Sequence, residues 1–224
     1  MKKILVLAPH ADDEVIGCGG TINKYSNLGS DVYVSILTNA SIGAPELFSK
    51  NILKNIRNEA ITANKDLKVK KLLFEEFPAP SLDQYPIYKI ANYILKIINK
   101  IKPDSVFIPS ESDIHVDHKI INHAAMVSLR PINKHIVKRV LSYETLSETH
   151  WSDESKNLFT PNFYEKLNKK DINIKKKSFL KYKSQVKYFP HPRSIKGIET
   201  LANFRGMQIA SEYAEAFEIK KYIN

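Results

Sequence analysis

Two short segments hold side chains that could do chemistry. The first is Pro9-His10-Ala11-Asp12-Asp13-Glu14 and the second is Asp113-Ile114-His115-Val116-Asp117-His118. Both mix imidazoles with carboxylates. Carboxylates crowded together repel one another and resist ionisation unless something positive sits among them. A divalent cation is such a charge, and His with Asp suits zinc or iron(II). Two such clusters brought to one place would make a metal centre.

The surrounding pattern says how the clusters could meet. Lys3–Ala8 is a short apolar run rich in branched residues and predicts a buried strand. Asp31–Leu37, Val69–Phe74, Asp104–Ile108 and Val137–Tyr143 predict four more. Helical spacing falls between them, over Val15–Leu28, Pro45 to about Lys65, Asp83–Lys100 and Val116–Leu129. In the second of these, Leu47, Ile52, Ile56 and Ile61 fall roughly on one side. Thr145–Tyr164 reads as a long loop and Ser194–Ser211 as a late helix. Strands alternating with helices predict an α/β fold, a Rossmann-like, mostly parallel sheet flanked by helices, in one domain over 1–224. Ligands of such sheets bind at the carboxyl ends of the strands. Both clusters directly follow a strand, so the metal site is expected there.

Gly17, Gly19 and Gly20 invite a nucleotide-binding reading. A dinucleotide fingerprint would put its first glycine directly after the strand, and position 22, where its third would fall, is Ile. These glycines are read instead as letting a helix come close to the sheet. Cys18 is the only cysteine, which excludes an intrachain disulfide and a cysteine cluster.

The residues resemble a known family. Pro9-His10-Ala11-Asp12-Asp13-Glu14 is similar to the (A/P)-H-P-D-D-E signature of PIG-L/LmbE-like zinc N-deacetylases, and His115-Val116-Asp117-His118 to their H-P-D-H signature. Arg57-Asn58-Glu59, Pro80-Ser81-Leu82-Asp83, Tyr143-Glu144, Ser184-Gln185, His191-Pro192-Arg193-Ser194, Arg205-Gly206 and Tyr213–Phe217 extend the resemblance along nearly the whole chain. Ala11 and Val116 stand where the family usually has Pro, and neither removes a functional group. The resemblance implies His10, Asp13 and His118 as ligands of zinc, with iron(II) as the other candidate. It implies Asp12 as the general base. It implies His115, protonated, as the group steadying the oxyanion or protonating the leaving amine, with Asp117 holding its ring. Arg57 and Asp83 match positions that face sugar hydroxyls. His191 and Arg193, also candidates for substrate binding, lie in a Pro-flanked turn that suits a lid or a subunit contact. Glu14 is expected to orient a ligand or open the following helix.

The activity implied is removal of an N-acetyl group from an amino sugar, as a glycoside or linked to a nucleotide. An acylated antibiotic or a thiol-precursor glycoside is the alternative substrate, and a loop such as Thr145–Tyr164 would discriminate. Charge bears on partners. The 224 residues carry 34 Lys+Arg against 24 Asp+Glu, a net of +10. Only five of the 34 are Arg, the residue suited to reading bases and phosphates. Lys166–Lys187 holds nine Lys and one acid, net +8, leaving +2 for the rest. The excess is one local stretch, read as a solvated face that at most attracts an anionic sugar. A non-enzymatic binder of anionic polymers through that stretch would leave both motifs unexplained, so nucleic acid is not expected. No run approaches the ~20 apolar residues that span a bilayer. Ile4–Ala8 is shorter than a signal-peptide core, so a cytoplasmic protein is expected. A homo-oligomer is compatible with all of this.

Overall fold

Branched apolar residues at Ile4, Leu5, Val6 and Leu7 bury the first strand, β1 (Lys3–Ala8), inside a seven-stranded sheet. The computed structural model describes residues 1–152 and 158–224. Strands β2 (Asp31–Asn39), β3 (Lys71–Pro78), β4 (Ser105–Pro109) and β5 (Arg139–Tyr143) run parallel to β1. β7 (Tyr213–Tyr222) lies antiparallel to β5, and β6 (Phe163–Leu167) antiparallel to β7. The spatial order is β3-β2-β1-β4-β5-β7-β6. The chain winds outward from β1 in one direction and from β4 in the other. Their carboxyl ends flank the crevice where sheets of this kind bind ligands.

Alternation along β1 feeds two cores. Ile4, Val6 and Ala8 face α1 (Asp13–Asn27), α3 (Lys50–Asp66), α6 (Lys169–Phe179) and α7 (Ile195–Met207). Leu5 and Leu7 face α4 (Ile87–Ile101) and α5 (Val116–Ser128). The α/β architecture read from the sequence is therefore the one observed. Gly17 is one place where α1 comes close to the sheet. A Cβ there would stand 2.3 Å from Cδ2 of the buried Tyr143 ring.

Four sequence readings need correction. Helix α3 begins at Lys50, not at Pro45, because the Ser49 hydroxyl caps it by accepting from the Ile52 N–H. A short helix, α2 (Ala40–Gly43), precedes it. The large apolar residues of α3 do not form its buried face: Ala60, Ala63 and Asn64 do, while Ile52 and Ile61 are exposed. Helix α4 starts at Ile87 rather than Asp83, after a single 3-10 turn over Leu82–Gln84 and Pro86. The stretch Thr145–Tyr164, read as loop, contains a 3-10 turn at Thr149–Trp151 and the start of β6, and its residues 153–157 lie outside the described ones.

The lysine-rich stretch is also not one solvated face. A capping box between Asn168 and Asp171 opens α6. Lys175 is buried, with its ammonium on Glu215 and on the carbonyl of Ile16. Lys176 pairs with Glu199, and Lys177 with Asp66. The stretch thus ties α6 to α1, α3, α7 and β7.

Candidate metal centre

β1 and β4 pair in parallel, and each runs straight into a motif. After β1 the chain turns through His10 to Asp12, and α1 opens at Asp13. After β4, His115 caps α5, its Nδ1 accepting from the Asp117 N–H. This brings the two clusters face to face across the crevice. His10 Nδ1, Asp13 Oδ2 and His118 Nε2 form a nearly equilateral triangle with edges of 3.4, 3.3 and 3.3 Å. Tetrahedral bonds of ~2.0–2.1 Å require donors about 3.3 Å apart, so this triangle fits a zinc-type ion. Asp13 Oδ1 is buried with no hydrogen-bond partner among the described residues. A second trio within reach of an ion is His10, His115 and Asp117. Two of its members are already engaged, since Asp117 takes the Leu82 N–H and bonds to His10.

Each histidine of the triangle has its other nitrogen on a carboxylate. His10 Nε2 meets Asp117 Oδ2 at 3.1 Å, and His118 Nδ1 meets Asp113 Oδ2 at 2.6 Å. Asp113 also accepts the Thr149 hydroxyl. With those nitrogens donating, the lone pairs of His10 Nδ1 and His118 Nε2 point into the triangle, the arrangement that orients metal-binding histidines. Asp117 therefore holds the ring of His10, not that of His115 as expected. It is the backbone N–H of Asp117 that meets His115, while its carboxylate is held by His10 and the Leu82 N–H. Asp113, which the motif resemblance leaves without a role, proves to hold His118.

The electrostatics follow from this packing. Burial works against the charge on Asp13, but the two imidazoles override it and hold the carboxyl well below its usual range. Burial would lower His118, yet Asp13 and Asp113 raise it to about 10. His115 moves the other way. Burial, then the neighbouring His10 and His118, lower it to about 4. Its Nδ1 accepts a hydrogen bond, which leaves the ring proton on Nε2.

Asp12 lies beside the triangle and lines the open cleft. It has φ 120°, a conformation that favours glycine. Its carbonyl receives the N–H groups of Val15 and Ile16, starting α1. Its own N–H donates to Glu14, whose carboxylate is fixed by Asn64 and Tyr182. Asp12 Oδ2 has no hydrogen bond among the described residues, and Arg193 Nη1 stands 3.7 Å away. Burial raises Asp12 to about 7 against the pull of Arg193.

The remaining candidates separate. Arg193 lines the cleft, braced by Ser147 and Gln185, so its place is beside Asp12 rather than in a lid. His191 accepts the Arg193 N–H and packs edge-on to Trp151, which shapes the turn. Arg57 is committed to Glu76 and lies over the Phe74 ring. Asp83 sits exposed on the 3-10 turn whose Leu82 N–H binds Asp117. Neither Arg57 nor Asp83 lines the cleft. Tyr182 and Asn64, which fix Glu14, carried no motif signal.

Comparison with known proteins gives the family of the chain and the fold it shares. The family model described as GlcNAc-PI de-N-acetylase, PIG-L, matches residues 5–129, more than half of the chain, and the chain belongs to that family. It is 29% identical over 138 residues to diacetylchitobiose deacetylase of Thermococcus kodakarensis, covering 59% of this chain and 50% of the relative, about half its length. A conserved protein of Thermus thermophilus superposes with a TM-score of 0.80 at 24% identity, over 100% of this chain and 97% of the other. N,N'-diacetylchitobiose deacetylase of Pyrococcus horikoshii, complexed with its inhibitor, gives a TM-score of 0.78 at 25% identity, over 97% and 83%. No helix among the described residues is long and apolar enough to cross a membrane.

Proposed function

We propose that the chain is a metal-dependent hydrolase that removes the N-acetyl group from an N-acetylated amino sugar, with residues 1–224 acting as one domain. The observation that carries this is the triangle of His10, Asp13 and His118 beside an unbonded Asp12 carboxylate oxygen. The deacetylase relatives support the choice of an N-acetylated sugar. Zinc or iron(II) held by the three residues would supply Lewis acidity for water and for the amide carbonyl.

The chain's own groups do the rest. Asp12 Oδ2 faces the cleft with a free lone pair and receives the proton given up by the attacking water. Arg193 stabilises the ionised Asp12 and holds it in place. His115 keeps its ring proton on Nε2, a hydrogen-bond donor for the oxygen of the tetrahedral intermediate. Asp113 and Asp117 fix the rings of His118 and His10. The protein is expected to act in the cytoplasm, without nucleic acid.

The test is acetate release. Purified protein is stripped with a chelator, reloaded with zinc or iron(II), and offered N-acetylglucosamine, N,N'-diacetylchitobiose and a nucleotide-linked N-acetylhexosamine. Metal-dependent acetate from at least one is expected. No acetate from any of them, with metal bound at one per chain, refutes the proposal.

A further inference from the structure

The cleft beside the metal centre has two unlike halves. His10, Asp12, His115 and Arg193 form one. The apolar part of its lining is Phe48, Leu53 and Ile56, with Ala40, Ala79 and Pro80. The cleft has a volume of about 210 Å³, short of the ~300–1,000 Å³ of sites that bury a whole drug-sized ligand, so it takes part of a substrate rather than all of it. Its remaining polar groups are largely spoken for. Thr38 donates to the carbonyl of Pro9, and Gln185 receives Arg193. Arg57, the next residue after Ile56, turns to Glu76 on β3 and leaves the wall uncharged. A sugar ring needs hydroxyl partners, and this wall has none to give.

The wall arises from the way α3 packs. The helix meets the sheet through Ala60, Ala63 and Asn64 near its carboxyl end. Its first turns therefore carry Leu53 and Ile56 over the cleft instead of into the core. Apolar groups kept half-buried at a polar reaction centre lower the free energy only when something apolar covers them. Leu47 and Ile52, the chain neighbours of Phe48 and Leu53, are 66% and 43% exposed, so apolar surface extends toward solvent.

We propose that the substrate carries an apolar group that seats against Phe48, Leu53 and Ile56 while its amide lies at the metal centre. The group is either an acyl chain longer than acetyl or an apolar aglycone on the amino sugar. This rests on the hydrolase reading above and narrows its substrate.

Two substrate series separate the sources. One varies the acyl chain on glucosamine from acetyl to butyryl to hexanoyl. The other keeps N-acetyl and varies the aglycone from methyl to butyl to octyl. Each methylene fully buried contributes about fourfold in kcat/KM, and about twofold if half-buried. Hexanoyl over acetyl, or octyl over methyl, should therefore gain about tenfold or more in one series. In Leu53→Asn/Ile56→Asn the ratio of the longest to the shortest member should fall toward one. Both residues are only partly buried, so the fold should tolerate the change. Native far-ultraviolet circular dichroism checks that it does. Calorimetric titration of the zinc-loaded protein with octyl and methyl N-acetylglucosaminides reads the preference without turnover. A preference for octyl upholds the aglycone form of the proposal. Flat rates along both series, with equal binding of the two glycosides, overturn it. N-acetylglucosamine hydrolysis would then leave the deacetylase reading standing. If no amide in either series is cleaved, the deacetylase reading falls, and the binding comparison still decides whether the wall takes an apolar group.

Discussion

Asp12 is asked to do two things at odds with each other, and one substitution separates them. Its φ of 120° is costly for any residue with a Cβ, on the order of 1–3 kcal/mol. Its carboxylate is buried with one oxygen unbonded, which adds to the cost. Asp12→Gly removes both burdens. Against that gain stands the extra freedom of glycine in the unfolded chain, about 0.5–1 kcal/mol. Arg193 also loses a neighbour, but it keeps Ser147 and Gln185. The balance favours the glycine variant by ~0.5–2 kcal/mol, or about 2–6 °C in Tm for a chain of this size. Asp12→Ala loses the carboxylate but keeps the strain, so it should melt about 2–4 °C below the glycine variant. Both variants retain His10, Asp13 and His118, so both should bind zinc at one per chain. Both should lose roughly 100-fold or more in kcat, because the proton acceptor is gone. The assays are scanning calorimetry, elemental analysis and acetate release on the same preparations. An alanine variant as stable as the glycine variant would limit the strain to glycine's own entropic cost of about 0.5–1 kcal/mol and refute the larger figure. Near-normal turnover in either would remove Asp12 from the role of base.

His118→Ala leaves two of three ligands, and zinc per chain by elemental analysis should fall close to zero while the circular dichroism stays native. Arg205→Met strands the buried Glu144, which now receives two guanidinium bonds of 2.8 and 2.6 Å, and should cost ~3–5 kcal/mol in urea titrations at pH 7. Burial would raise Glu144, but His150 and Arg205 hold it below its ordinary 4.5. Its contribution is therefore fully present above 4.5 and lost as pH falls through the lower folded value, so the gap between native and Arg205→Met should shrink only in acid. Gly17→Ala gains helix propensity of about 1 kcal/mol, but its Cβ meets Tyr143, whose hydroxyl is fixed on the Leu7 carbonyl. Overpacking of ~1–3 kcal/mol should win, lowering Tm; a higher Tm would show that the ring can move aside.

The parts of the site that were legible in the sequence are those that local order sets. A strand, a turn and a helix start put His10 and Asp13 three apart, and His115 and His118 three apart, before any long-range contact forms. What was not legible depends on residues distant in the chain. Asp117 turns to His10, 107 positions away, and only the folded sheet makes that choice. Arg193 reaches Asp12 from the turn between α6 and α7. The missed β7 shows a second cause. Its Glu215 and Glu218 are buried and interrupt the apolar alternation that marks a strand. They are tolerated because Glu215 takes the N–H groups of Gly20 and Thr21 and the ammonium of Lys175, and Glu218 takes Lys220 and the Thr160 N–H. Helix α3 misled for the opposite reason. Its apolar spacing is real, but part of it serves the cleft rather than the core.

The ligand triangle takes two corners from the β1–α1 turn and one from the start of α5. Its dimensions are therefore set by how β1 and β4 pair, Ile4 opposite Ser105, Leu5 opposite Val106 and Val6 opposite Phe107. A slip of one residue would move one strand end by about 3.3 Å. That distance equals a full edge of the triangle, so no neighbouring register leaves the donors able to share an ion. The same slip would exchange the two faces of the sheet and expose Ile4 and Val6 to the wrong layer of helices. The register that buries the core is thus the one that assembles the site. The ion adds its binding energy to that register alone, which is why zinc should raise Tm in the native chain and leave His118→Ala unmoved.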